Sequence, residues 1–407
     1  MIDIARDPRT TPVIVSAVRT PIGRFLGALA ALSAPDLGAA AVKEAVSRAG
    51  INPDDVAELI MGNVVQGGVG QAPARQAGIK SGLPPTVSAL TINKVCGSGL
   101  KAVMLAAQSI RAGDNSVVVA GGQESMSNAP HYLYGYRAGV KFGDQTIVDG
   151  LIRDGLWCSF CDVHMGGHAE YTAKKAGVTR QMADEFSVAS HRKAVEAIKG
   201  GKFKNEIVPV EIPGRKGSTI VDTDENPRED TSMETLGKLR PAFARDAPED
   251  VTDPVVTAGN ASSMNDGASA VVVVSEEYAR ANGLNILARI TGYSTGAVAP
   301  QELFFAPIQA VKNLMKKSGT AIGDYDLIEA NEAFAVQALA DGAGLDWDWD
   351  RVNVNGGAVA LGHPIGASGA RVLTTLVHAL HDRDKASGLA TLCLGGGDAV
   401  ALSVERV

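Results

Sequence analysis

Two separated stretches of this chain repeat one order of elements, and that repeat narrows the possible folds more than any single residue does. In the first, a strand-like run leads to Cys96 in Asn93-Lys94-Val95-Cys96-Gly97-Ser98-Gly99. A helix follows, with apolar residues at Leu100, Val103, Ala107 and Ile110. In the second, Val352 to Val354 lead to His363 in Gly362-His363-Pro364-Ile365-Gly366-Ala367-Ser368-Gly369, and Leu373, Leu376, Val377 and Leu380 fall at helical spacing. Each helix returns to an apolar run closed by glycines: Gly121-Gly122 after Val117-Val118-Val119-Ala120, and Gly395-Gly396-Gly397 after Leu392-Cys393-Leu394. A duplicated α/β unit sets corresponding loops side by side. Cys96 and His363 would then share one site.

The rest of the chain fits two such halves with an insertion between them. Pro12-Val13-Ile14-Val15-Ser16-Ala17 reads as a buried strand. A helix with Val42, Ala45, Val46 and Ala49 on one face stops at Gly50. Residues 128 to 257 are richer in charge, Pro and turn residues, with helical periodicity from Met182 to Ile198. Val271-Val272-Val273-Val274 restores the buried-strand pattern. The division is therefore 1–127 with 258–278 as one half, 128–257 as an inserted loop domain, and 279–407 as the other half. At 407 residues there is length for two or three sizeable cores. A net charge of −7 and 5% aromatic residues argue against nucleic acid as a partner. No apolar run is long enough to span a membrane, and Met1-Ile2-Asp3-Ile4-Ala5-Arg6-Asp7 has no signal-peptide core. Four cysteines in a chain this long do not make a disulfide framework, so the expected setting is the reducing cytoplasm.

Cys96 falls at a strand-to-helix junction, where a helix N-terminus favours a thiolate. Gly97 and Gly99 would leave room for a substrate, and the Cys96 amide can face an acyl oxygen. The plain alternative is a buried structural cysteine. His363, with small residues after it, can act as a base toward Cys96 or cap a helix. Cys393 ends a strand before three glycines, which permit a tight turn and exposed amides. Asn331 in Asn331-Glu332-Ala333-Phe334 can hold a water or carbonyl, or serve as a helix N-cap. Cys158-Ser159-Phe160-Cys161 has the C-x-x-C spacing of a metal half-site or redox pair. No second such pair or partnered histidines lie at zinc-site distance, so it reads as a packed loop and no metal is expected. His164 and Met165 follow it as possible channel residues. Arg215-Lys216 and Arg228 are charges in the solvated middle segment.

Taken together, these blocks resemble the thiolases, and among them the acetoacetyl-CoA thiolases. The resemblance runs from Ala17-Val18-Arg19-Thr20-Pro21-Ile22-Gly23 to Cys393-Leu394-Gly395-Gly396-Gly397. It includes Ala258-Gly259-Asn260-Ala261-Ser262, Asn331 to Phe334 and Asn353 to Gly369. It implies a five-layered α-β-α-β-α core built from two βαβ-rich halves, and a homotetramer arranged as a dimer of dimers. It implies reversible acyl transfer between acetyl-CoA, acetoacetyl-CoA and CoA, with no permanently bound cofactor. By resemblance, Cys96 is the nucleophile, His363 its activator, and Cys393 the acid/base for the acetyl-CoA carbanion. Asn331 holds a water in one oxyanion hole with His363, and the amides of Cys96 and Gly395 form the other. Coenzyme A would run past Ser262, Ala258, His164, Met165, Phe243 and Phe334, with Arg228 near its phosphates.

Two departures stand out. Leu303-Phe304-Phe305-Ala306-Pro307 replaces a glycine-containing Gly-x-Gly-Pro segment, which would reshape the acyl end of the pocket. Asp398-Ala399 follows the last glycine run where another glycine is usual. The alternatives are a broader-chain 3-ketoacyl-CoA thiolase of fatty-acid β-oxidation and a non-catalytic thiolase-like acyl-CoA or lipid carrier. A carrier would have lost at least one of Cys96, Asn331, His363 and Cys393. A ketoacyl synthase would lack Cys393.

Overall fold

A computed structural model describes residues 7–214 and 217–407, so Arg215-Lys216 and most of the N-terminal heptapeptide lie outside the described residues. In chain order the elements used below are β1 (Pro12–Arg19), α1 (Ala34–Ala49), β2 (Glu58–Gly62), β3 (Ser88–Ile92), α2 (Ser98–Ala112) and β4 (Val117–Ser125). Then come the short strands β5 (Trp157–Cys158) and β6 (Val163–His164), α3 (Met165–Ala176), α4 (Arg180–Lys199) and β7 (Asn265–Ser275). The chain ends with β8 (Ala288–Ala297), α5 (Ala306–Ser318), β9 (Leu327–Ala330), α6 (Ala335–Leu345), α7 (Ile365–Asp382), β10 (Ser387–Leu394) and β11 (Asp398–Arg406).

The duplication is visible in the strand order. One half runs β3-β2-β4-β7-β1 and the other β9-β10-β11-β8. In each half the same steps are parallel: β2 with β3 and β4, and β9 with β10. The Val352 run, expected as a strand, is reduced to one parallel bridge with Ile328, on the flank of β9 where β3 stands beside β2. The halves join where Val13 and Ile14 of β1 face Arg289 and Ala288 of β8. α2 and α7 fill the layer between the two halves of the sheet. Leu100, Val103, Ile110, Leu373, Leu376 and Leu380 share one core with residues of both halves. α1 covers the outer face of the first half and α5 that of the second, each over its own apolar cluster. The result is the layered α/β arrangement that the resemblance implied.

Glycine sets how closely the central helices cross. A Cβ on Gly99 would sit 2.6 Å from the Ala370 amide nitrogen, and one on Gly369 would sit 2.3 Å from that of Leu100. Backbone therefore meets backbone at the N-terminal ends of α2 and α7, and the residues just before each helix are drawn together. This corrects the expectation that Gly97 and Gly99 make room for substrate: a Gly97 Cβ would strike Leu394 at 2.1 Å. The expected stop at Gly121-Gly122 is corrected as well. β4 continues to Ser125, and Gly122 lies so close to the Gly366 carbonyl (2.0 Å from a built Cβ) that no side chain fits.

β4 and β7 are antiparallel neighbours over nine paired residues. The chain between them leaves the sheet and returns to it, carrying α3 and α4 over the loops that hold Cys96 and His363. No helix among the described residues is long and apolar enough to cross a membrane.

Candidate active site

The Cys96 turn is built from its neighbours. Val95, a β-branched residue, has φ +46°, a strained left-handed conformation. Side chains hold it there: the Val95 amide donates to Asn93 Oδ1 (3.0 Å), the Lys94 amide to Ser98 Oγ (2.8 Å), and the Ser98 hydroxyl to the Val95 carbonyl (2.6 Å). The Lys94 ammonium pairs with Asp398. Asp398, the residue that replaces an expected glycine, thus ties the Cys96 turn to the Gly395-Gly396-Gly397 turn. Gly396 and Gly397 have φ of +89° and +88°, as a tight β10–β11 connection requires.

The amides of Cys96 and Gly395 favour the Cys96 thiolate. The helix-terminus argument led us to expect a thiolate. Burial outweighs the amides and pushes the thiol up to about 12, with the Glu124 carboxylate adding to the rise. The resting nucleophile is neutral, so it needs a base.

His363 is placed to be that base. It is buried, and its main-chain amide donates to Asn265 Oδ1 at 2.9 Å. Nδ1 lies 2.7 Å from Ser368 Oγ, while the Ser368 hydroxyl donates to the Pro364 carbonyl at 2.8 Å. With that hydrogen committed, Ser368 acts as acceptor for Nδ1–H, and Nε2 keeps its lone pair. Burial, aided by the Arg371 guanidinium, lowers the imidazole to about 3, so it is neutral at rest. His363 is not a helix cap, since Pro364 occupies that position on α7.

Asn331 is fully buried behind the ring, not on the cavity wall. Its Nδ2 reaches both ring nitrogens at 3.4–3.5 Å, and its Oδ1 accepts from Arg371 at 3.4 Å. It is not an N-cap either, because α6 starts at Ala335. Cys393 closes β10 in an apolar cluster with Phe304, Phe334 and Val359. Burial holds its thiol well above the ordinary range, and the neighbouring Cys96 and Asp341 add to the shift. It is a protonated acid at rest.

Cys96, His363, Cys393 and Gly395 open onto one cavity of about 570 Å³, whose wall also carries Ser262, Ala258, His164, Met165, Arg228, Phe243 and Phe334. His164 stacks on Phe243 (4.8 Å between ring centres, 15° apart), and its Nδ1 accepts the Gly166 amide at 3.0 Å. Phe334 meets Phe243 and Phe304 edge-on at 6.2 and 5.3 Å. The Ser262 amide and hydroxyl both donate to the Ala333 carbonyl, at 3.0 and 2.8 Å, joining two motifs far apart in sequence. Of the two phenylalanines at the expected acyl end, only Phe304 lines the cavity. Phe305 turns away and lies under the Lys175 ammonium at 5.3 Å.

Three residues escaped the sequence reading. Arg24 is a second guanidinium on the wall. Ser368 was counted only as a small residue after His363, yet its spacing from the imidazole was there to be read. Glu124 is fully buried at the end of β4 and accepts from Asn63 and from the amides of Val64, Val65 and Gly366, which ties α7 to the β2 loop. Burial raises its carboxyl to about 7, against those donors. No sequence pattern announces it.

The family model "Thiolase, N-terminal domain" matches residues 12–277, and "Thiolase, C-terminal domain" matches 284–406. An acetyl-CoA acetyltransferase of Pseudomonas aeruginosa is 53% identical over 395 residues, covering 97% of this chain and 99% of that protein. One of Paracoccus denitrificans is 53% identical over 397 residues, covering 98% and 100%. The crystal structure of the Bacillus anthracis acetyl-CoA acetyltransferase superposes with a TM-score of 0.94 at 41% identity, covering 98% of this chain and 99% of that one.

Proposed function

This chain belongs to the thiolase family, and on that premise we propose that it moves an acetyl group between coenzyme A thioesters, cleaving or forming acetoacetyl-CoA. The observation that carries the proposal is the meeting of two thiols, an imidazole whose Nδ1 is held by the Ser368 hydroxyl and a backbone amide at one cavity end.

In thiolysis, His363 Nε2 takes the Cys96 proton as Sγ attacks the 3-keto carbon of acetoacetyl-CoA. The amides of Cys96 and Gly395, and the new Nε2–H of the ring that Asn331 backs, receive the oxyanions; one such donor is worth about 3 kcal/mol. The C2–C3 bond breaks, and the Cys393 thiol protonates the acetyl-CoA carbanion. Free CoA then loses its thiol proton to the Cys393 thiolate and attacks the acetyl-Cys96 thioester. Cys96 leaves and recovers its proton from His363. Protons balance over the cycle, and a covalent acyl-enzyme makes the kinetics ping-pong. Synthesis is the reverse.

Coenzyme A is a substrate here, not a resident cofactor. Its pantetheine would pass Ser262, Ala258, Met165 and the His164, Phe243 and Phe334 rings, with Arg228 and Arg24 toward the phosphates. The inserted segment 128–257 would form the cover, between a half made of 1–127 with 258–278 and one made of 279–407. Exposed Leu133, Tyr134, Tyr136, Phe142 and Ile147 in that segment favour association into a tetramer. The cytoplasm remains the setting we propose.

Loss of acetoacetyl-CoA absorbance on adding CoA tests the function, run beside a 3-ketoacyl-CoA of eight or more carbons. Turnover confined to the four-carbon substrate is expected. Efficient long-chain turnover would move the enzyme to the degradative thiolases. No turnover with Cys96 reduced would leave only the carrier.

A further inference from the structure

The C-x-x-C pair had no partner in the sequence, but the fold supplies one. β5 and β6 form a hairpin whose turn holds Cys161, with Trp157 Nε1 donating to Asp162 Oδ1 at 2.9 Å and Asp162 in the left-handed region at φ +51°. α3 begins as β6 ends and places His168 beneath the hairpin. The two Sγ atoms and a ring nitrogen of His168 lie within 4.8 Å of one another. We propose that Cys158, Cys161 and His168 bind one borderline-soft divalent cation of the zinc class.

Three observations point to a metal. His168 is 2% exposed, and its Nε2 makes no hydrogen bond among the described residues. Buried imidazole nitrogens ordinarily have partners, and a cation would be one. A disulfide between Cys158 and Cys161 would leave that nitrogen as it is, which decides between the two chemistries the C-x-x-C spacing allows. The His168 ring also faces the Gln301 main-chain carbonyl, the kind of acceptor that fixes a ligating histidine. Thiolate and imidazole donors together select zinc-like ions over magnesium or calcium.

The geometry needs little closing. Zinc–sulfur bonds of about 2.3 Å in a tetrahedron put sulfurs ~3.8 Å apart, and Cys161 sits on an exposed turn. Binding releases two thiol protons to solvent, leaves His168 neutral, and opens the fourth position to water on the exposed side. The site clips the hairpin to α3, whose N-cap His164 and first residue Met165 line the cavity. It uses none of the groups assigned to acyl transfer.

Cobalt(II) is the probe, added to reduced full-length protein, to a Cys161→Ser variant and to a Cys96→Ser variant, with thiolate-to-cobalt charge-transfer absorbance and thermal unfolding as readouts. The expected result is one equivalent bound by wild type and Cys96→Ser with equal bands and a raised Tm. In Cys161→Ser, affinity should fall by at least about tenfold with a diminished band. Cys161 is exposed, so that variant should fold, and unfolding of the metal-free protein checks it. The proposal is overturned if no thiolate band forms at saturating cobalt, or if Cys161→Ser leaves the band unweakened. It is also overturned if Cys158 and Cys161 form a disulfide that cobalt does not prevent. No readout depends on thiolysis, so failure here leaves the acyl-transfer reading standing.

Discussion

Replacing Ser368 with alanine isolates the tautomer of the proposed base. The hydroxyl lies 2.7 Å from His363 Nδ1 and spends its own hydrogen on Pro364. Without it, a buried Nδ1–H loses its acceptor, at a cost of about 1–3 kcal/mol. The ring can escape by moving the proton to Nε2, but that removes the lone pair that must take the Cys96 proton. Either way the cost falls on formation of the acyl-enzyme, which is about a 5- to 150-fold loss in rate. Ser368 is buried and off the cavity wall, so substrate binding should hold. Steady-state thiolysis of acetoacetyl-CoA at neutral to alkaline pH is the assay, with thermal unfolding as a control for folding. The expected result is a reduced kcat with KM within about twofold. A variant with wild-type kcat, or one whose only change is a raised KM, would refute the tautomer argument.

Gly99→Ala gains helix propensity but drives a Cβ to 2.6 Å from the Ala370 nitrogen. Chemical unfolding should show a net loss of about 1–3 kcal/mol, and a stabilised variant would contradict the close helix crossing. Phe304→Ala should raise turnover of longer 3-ketoacyl-CoA relative to acetoacetyl-CoA, at a stability cost of about 3–5 kcal/mol; an unchanged ratio would show that Phe304 does not bound the acyl site. His191 is held down to about 4 by burial and then by the Arg228 charge. The unfolded chain therefore binds a proton that the native state refuses, and this group's contribution, full above pH 6.5, is lost as pH falls toward 4. Urea unfolding across that window should show a shallower pH slope for His191→Asn; an identical slope would remove His191 from the acid response.

Much of the fold was legible because a duplication leaves two copies of the same pattern. The helix over Leu100 and Ile110 and that over Leu373 and Leu380 needed only apolar spacing to be found, as did the strand at Val271. What failed were inferences from one chain segment about space filled by another. Gly121-Gly122 looked like a stop until the Gly366 carbonyl was seen against it. Gly97 and Gly99 looked like substrate room until Leu394 and Ala370 filled it. Val352 keeps a single bridge to Ile328 in place of a strand.

At the site, the reactive residue types were readable, but their protonation was not. The helix-terminus argument for a Cys96 thiolate was local. Burial comes from packing α2 against α7 and the covering segment, and it reverses the outcome. Ser368 matters through His363, only five residues away, whereas Arg24 reaches the cavity from a segment distant in sequence. Cys158 and Cys161 could not declare a third ligand, because His168 reaches them only when the hairpin folds over α3.

The central claim is that Cys96 carries the acyl group. The direct measurement is mass spectrometry of enzyme mixed with acetyl-CoA in the absence of free CoA, acid-quenched and digested. One acetyl group on the peptide containing Cys96, removed by added CoA and absent in Cys96→Ser, is the predicted result. An enzyme that turns over acetoacetyl-CoA while Cys96 stays unmodified, or acetyl found on Cys393 instead, would contradict the account.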